Sequence, residues 1–210
     1  MISVNMDSGK QQNTIPTKER IFNASVKLFS EKGYAGVSMR EIAKMSDITV
    51  AGIYNHYASK EDILYSLYDF YADHWKQVCP NTEDLLAIAE TGTPAEVFGS
   101  LAFHFDPALE NTMDLILKIA VGQIGFDERS EAFVNEHCAS KTVMVAILDK
   151  LVELGKIEPL DTQCFATVLI MFNVATAALN STSFKVNRDE WQRSFAMIFD
   201  IIKIKDIPLK

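Results

Sequence analysis

Cysteine, proline and glycine are all scarce in this chain: of 210 residues only 3 are Cys, 6 are Pro and 9 are Gly. Thiols at positions 79, 138 and 164 are too few and too scattered for a disulfide framework or a clustered zinc site. They point to a reducing compartment, the cytoplasm. The low Gly and Pro content excludes collagen-like and low-complexity chains. No stretch alternates apolar and polar residues between hairpin turns, so strands are not expected. A membrane-length apolar run is missing too. Cys164 to Phe184 is uncharged, but its apolar centre, Phe165 to Leu179, is interrupted by Thr167, Asn173 and Thr176. It falls short of the roughly 20 mainly apolar residues a span needs, and no aromatic belt or basic cluster flanks it. It reads as a helix buried on most of its circumference, in a core or at a subunit interface, and no membrane partner is expected. Met1 to Ile15 lack the apolar core of a secretory signal and are expected to form a loose, polar tail.

What is present suits a folded globular chain: 48% hydrophobic, 23% charged, with a net charge of −8. The charge is uneven. Residues 1–60 hold 8 Lys/Arg against 5 Asp/Glu, a net of +3, while residues 61–210 hold 12 against 23, a net of −11. A short basic segment on an acidic chain can face a polyanion while the remainder stays off it, provided a motif gives that asymmetry a direction.

Helix signals run from Thr17 onward and predict an all-α protein. A first helix spans Thr17 to Lys32 with Ile21, Ala24, Ser25, Leu28 and Phe29 on one stripe, and Gly33 supplies a left-handed stop. Ser38-Met-Arg-Glu41 has capping-box spacing and opens a short second helix to Met45. Asp47 is expected to take the left-handed turn position. Thr49 caps a third helix, Val50 to His56, on which Ile53 and Tyr57 face inward and Tyr54, Asn55 and His56 outward. Ser59-Lys-Glu-Asp62 opens a long fourth helix toward Val78, which Pro80 ends. Thr93-Pro-Ala-Glu96 is another strong start. Helices are then expected at 94–104, 107–125, 128–154, 161–182 and 188–205.

Two short helices joined by a tight turn and preceded by a supporting helix make a helix-turn-helix, whose second helix enters the DNA major groove. Thr49, Val50, Ala51 and Gly52 are small enough for the backbone to lie close to base edges. Plainer readings exist for the individual residues. Tyr54 and Tyr57 fit a small aromatic core, Lys60 a solvated helix start, and His56 an ordinary surface position, but none of these explains the set in this order.

The segment from Thr17 to Leu64 resembles the tetracycline-repressor (TetR) family of bacterial transcription regulators. The residues that carry the likeness are Leu28-Phe-Ser-Glu-Lys-Gly-Tyr34, Val37-Ser-Met-Arg-Glu-Ile-Ala43, Ile48-Thr-Val-Ala-Gly-Ile-Tyr-Asn-His-Tyr57 and Ser59-Lys-Glu61. Met45-Ser-Asp47 departs from the family's usual small residues ending in Gly. The resemblance implies a homodimer on a palindromic double-stranded DNA operator, with a C-terminal body that senses a small molecule. It implies that Ser38 and Lys60 hold phosphates and that Arg40 reaches backbone or a base edge. Thr49, Val50, Ala51 and Gly52 would face the groove, Tyr54 and His56 would bond mainly phosphates, and Asn55 a phosphate or a base. The division expected along the chain is a tail at 1–15, a DNA-binding domain at 16–62 and a sensing and dimerisation domain at 63–210.

In the body, Phe103, His104, Met113, Gln123 and Phe126 are pocket candidates, as are Phe133, His137, Phe172 and Asn173. Their apolar and aromatic mix suits a hydrophobic or aromatic effector; the plainer reading of each Phe and Met is ordinary core. Phe165, Leu169, Phe172 and Thr176 on one helix, with Trp191, Phe195, Ile198, Phe199 and Ile202 on another, are the expected dimer interface, a four-helix bundle with their mates. The alternative is an intramolecular core helix. An enzyme is not expected, because no metal-ligand, nucleophile-elbow or phosphate-loop spacing occurs, and no cofactor or metal is implied. A metal-sensing regulator or an activator of the same family stays open; a protein-interaction adaptor gives no reason for the basic head.

Overall fold

The computed structural model describes residues 15–78, 81–100, 107–138 and 140–180, together with 190, 193, 194 and 197. Among these residues every regular element is an α-helix. Four come first: α1 (Thr17–Lys32), α2 (Met39–Met45), α3 (Val50–Tyr54) and α4 (Lys60–Val78). Then follow α5 (Thr82–Thr91), α6 (Pro94–Ser100), α7 (Pro107–Val121), α8 (Glu128–Cys138), α9 (Ser140–Glu153) and α10 (Thr162–Asn180).

Local chemistry sets most of these boundaries. Ser38 and Glu41 cap α2 reciprocally, the Glu41 amide donating to Ser38 Oγ while the Ser38 amide and hydroxyl donate to Glu41 Oε2. Thr93 and Glu96 repeat the device at α6. At α4, Ser59 Oγ takes the Asp62 amide at 3.0 Å, and Asp62 reaches back to the Ala58 amide instead of to Ser59. Asp47 sits at φ 52° between α2 and α3, as its place in the turn requires.

The helices differ from expectation in three places. α5 was not anticipated, although Asn81 Oδ1 caps it through the Asp84 amide at 2.8 Å and Gly92 ends it. α3 stops at Tyr54, and the His56 amide closes a tight turn onto the Ile53 carbonyl at 2.8 Å. α7 ends at Val121, because Gly122 and Gly125 turn the chain before residue 125. The helix expected at 128–154 is described as α8 and α9, and residue 139 between them lies outside the described residues. Residues 101–106, most of 188–205 and the tail at 1–14 lie outside the described residues.

Packing groups the helices into two compact units that interleave along the chain. One holds α1 to α4 as far as Trp75, α7, and α8 as far as Val134. Ile21, Ala24, Ser25, Leu28 and Phe29 are all buried, and α1 packs on α7 as well as on α2. The Phe22 and Phe70 rings, 4.8 Å apart, join α1 to α4. Ser25 is satisfied inside the core by donating to the Ile21 carbonyl.

The other unit holds α5, α6, α9 and α10. Its core contains Leu85, Val97, Phe98, Ile147, Leu148, Leu151, Ala166 and Leu169. Lys156 ties its turn together by donating to the carbonyls of Ala89, Glu90 and Gly92 at 2.7, 2.9 and 2.6 Å. No described helix is long and apolar enough to cross a membrane.

Candidate nucleic-acid interface

Ile53 and Tyr57 hold the recognition helix in place. Both are buried, at 0% and 4% exposure, and Ile53 accepts the Tyr57 amide at 3.0 Å. With those two side chains fixed inward, Tyr54, Asn55 and His56 point to solvent, and Tyr54 is 54% exposed. At the other end Thr49 Oγ1 accepts the Gly52 amide at 3.0 Å, which leaves the hydroxyl proton able to donate outward. A Cβ at Gly52 would approach that same oxygen to 3.3 Å, so the small residue protects the cap. Thr49 and Ala51 are exposed, Val50 and Gly52 half-buried.

On α2, Arg40 is exposed and so is Ser38. Ser38 already donates its amide and hydroxyl to Glu41, whose carboxylate also takes Lys32 at 2.7 Å. The Lys32 ammonium first, then the Ser38 amide and hydroxyl, hold the Glu41 pKa down at about 2. Lys60 is neither a solvated lysine nor a free cation. Its Nζ donates to the Tyr34 and Val37 carbonyls at 3.0 and 2.9 Å and lies 4.1 Å from the centroid of the Tyr34 ring. It therefore stitches the start of α4 to the loop that leads into α2.

The long helix α4 is clasped to the start of α8. Asp127 caps α8 by accepting the Arg129 and Ser130 amides at 3.1 and 3.0 Å, and it also takes the Tyr65 hydroxyl at 2.9 Å and the Ser130 hydroxyl. Burial works against that carboxylate, but the hydrogen bonds from Ser130 and Tyr65 prevail and hold its pKa below the usual value. Tyr68 completes the chain, its hydroxyl 2.7 Å from Ser130 Oγ. Arg129 spans the outside, over the Tyr65 ring and on Asp69 at 2.6 Å.

The sequence-derived pocket candidates among the described residues are divided between the two units. Met113, Gln123, Phe126 and Phe133 belong to the first unit and Phe172 to the second. Phe133 is core, stacked on Tyr68 at 4.7 Å and edge-on to Tyr71 at 5.1 Å, and Met113 is fully buried. Phe126 follows the end of α7, its ring projecting from the next turn with 84% exposure. Gln123 lies in the same turn, donating to the Gly122 carbonyl. Phe103 and His104 lie outside the described residues, as do the side chains of His137 and Asn173.

The residues expected at an interface on α10 are placed differently from one another. Leu169 is buried at 0% within its own chain, and Phe165 and Phe172 pack against the same cluster. The solvent-facing stripe is instead Cys164, Val168, Met171 and Ala175, spaced as one helical face. The Thr176 side chain and Trp191, Phe195, Ile198, Phe199 and Ile202 lie outside the described residues. No group of three or more His, Cys, Asp or Glu suited to a metal occurs among the described residues.

Residues 21–67 match the family model described as bacterial regulatory proteins, tetR family. Over 46 residues the chain is 44% identical to the biofilm operon icaADBC HTH-type negative transcriptional regulator IcaR of Staphylococcus epidermidis, covering 22% of this chain and 25% of that protein. The chain spans about a quarter to a third of the length of the curated relatives it matches first. Among solved structures it is similar to the ketosteroid transcriptional regulator KstR2 of Mycobacterium tuberculosis, with TM-score 0.66 and 16% identity over 98% of this chain and 100% of that one. It is also similar to AibR in complex with isovaleryl coenzyme A and operator DNA, with TM-score 0.63 and 16% identity over 90% and 100% of the two chains. At such identities the structural likeness speaks to the fold.

Proposed function

We propose that this chain, whose residues 21–67 match the model of the tetR family of bacterial regulatory proteins, is a ligand-responsive repressor of that family, released from a palindromic operator by a small hydrophobic or aromatic molecule. The observation that carries the DNA-reading part is the anchored recognition helix, with Ile53 and Tyr57 locked in the core and Tyr54, Asn55 and His56 turned outward. Ser38, Arg40, Thr49, Val50, Ala51 and Gly52 surround that turn as phosphate or groove contacts. Repression is favoured by the likeness to IcaR, described as a negative regulator, and an apolar effector by the aromatic and aliphatic side chains of the body.

The protein works as a homodimer through the solvent-facing stripe of α10, and the body from residue 63 onward acts as sensor. Two recognition helices then meet successive major grooves about 34–36 Å apart. The effector acts by population shift: it must bind the DNA-incompetent state more tightly than the competent one, or nothing moves.

Selection from a randomised duplex pool at two salt concentrations tests this. A palindrome with strongly salt-dependent affinity is the expected result. An intact helical dimer that enriches no sequence after removal of any copurified ligand defeats the reading.

A further inference from the structure

The basic residues of the head are not equally available. Lys32 is paired with Glu41. Lys60, the expected phosphate contact, directs its ammonium onto two backbone carbonyls. Arg20 reaches back to Thr17 Oγ1 at 3.4 Å. Lys18 differs from all three. It is exposed on the first turn of α1, the ion pairs among the described residues leave it out, and its Nζ stands 5.5 Å from the centroid of the Tyr57 ring.

That ring is a fixed reference point. Tyr57 is buried, its amide is bonded to the Ile53 carbonyl, and it directly follows the outward turn Tyr54-Asn55-His56. A cation over its face is held there by the ring quadrupole. The side chains thus put a positive charge beside the C-terminal end of the recognition helix, although the two residues lie 39 positions apart in the chain.

Resting on the DNA-binding reading above, we propose that Lys18 is a DNA-backbone contact of this chain, placed by the Tyr57 ring to meet a phosphate flanking the groove that α3 enters. Lys60 is then a positioning residue that fixes the loop before α2. A phosphate contact carries no sequence information, so Lys18 raises affinity for operator and non-operator DNA alike.

The test is the salt dependence of binding to a duplex of about 30 base pairs of random sequence, measured with the full-length protein between roughly 50 and 200 mM salt. The slope of log K against log salt should become shallower by about 0.9 for each chain bound in Lys18→Gln, and should be retained in Lys18→Arg. Lys141→Gln, on α9 in the other unit, removes the same charge and should leave the slope at the wild-type value. An unchanged slope in Lys18→Gln, with wild type binding normally, overturns the assignment of Lys18 and leaves the DNA-binding reading standing. An equal loss of slope in Lys141→Gln overturns it as well, since net charge alone would then suffice. Wild-type protein that binds no duplex at the lowest salt overturns both.

Discussion

Gly33 ends α1 at φ 74° and ψ 154°, with its amide donating to the Phe29 carbonyl at 3.0 Å. This is not the left-handed helical region that many side chains tolerate as single residues, but a region reached essentially by glycine alone. A Cβ there meets nothing within 4 Å, so the penalty for Gly33→Ala is backbone strain without collision. Urea unfolding should show a loss of about 2 kcal/mol. Asp47, at φ 52°, has the opposite prospect. Replacing it with glycine relieves the left-handed penalty at some cost in unfolded-chain entropy, and Asp47→Gly should raise stability by roughly 0.5–1 kcal/mol in the same experiment. The Asp47 turn was legible in the sequence and so was the stop at Gly33, but not its conformation, because glycine alone can take several and nothing local selects the extended positive-φ one over the left-handed helical one. Lys60 was legible only as a basic residue at a helix start. Its partners are the carbonyls of Tyr34 and Val37, and a carbonyl leaves no mark in a sequence.

The capping boxes make a pH-dependent statement about whole elements. In α2 the Glu41 carboxylate serves the Ser38 amide, the Ser38 hydroxyl and Lys32 together, and its pKa falls from an ordinary value near 4.5 to about 2. A depressed carboxylate stabilises the folded chain above its unfolded pKa and loses that contribution as pH falls through the folded one. Thermal melts of Glu41→Gln should therefore lie below wild type at neutral pH, and the gap should close progressively between pH 4.5 and pH 2. Caps placed α2, α3, α4 and α6 correctly from sequence because each is a contact between residues three or four apart. α5 carries the same signal in Asn81-Thr-Glu-Asp84, where the polar residues read more readily as a loop. On α10 the sequence leaves the orientation open for another reason. With Thr167, Asn173 and Thr176 interrupting an otherwise apolar run and no charge from Thr162 to Asn180, nothing local says which stripe meets the core. Only the packing of Ala166 and Leu169 against α9 and its neighbours settles it.

At the scale of the molecule, the face of α10 left over by that packing is the one proposed above to carry the dimer. Val168 and Met171 are 51% and 64% exposed, on one line with Cys164 and Ala175. Met171→Asp should keep the helical content and melting of the subunit but turn dimer into monomer at micromolar concentration by sedimentation, and weaken operator binding with it. A variant that stays dimeric moves the interface elsewhere. Leu169→Asp should instead unfold the unit that contains it, since it puts a charge at a fully buried position. The interleaving of the two units also bears on how the chain comes off the ribosome. α1 emerges early, yet α7, which it packs on, is encoded some 75 residues beyond the end of α1. At roughly 5–20 residues per second the nascent head waits on the order of 4–15 s for that cover. Until then part of the apolar side of its first helix is bare, so the DNA-binding head completes its fold only after the chain that separates it from α7 has been synthesised.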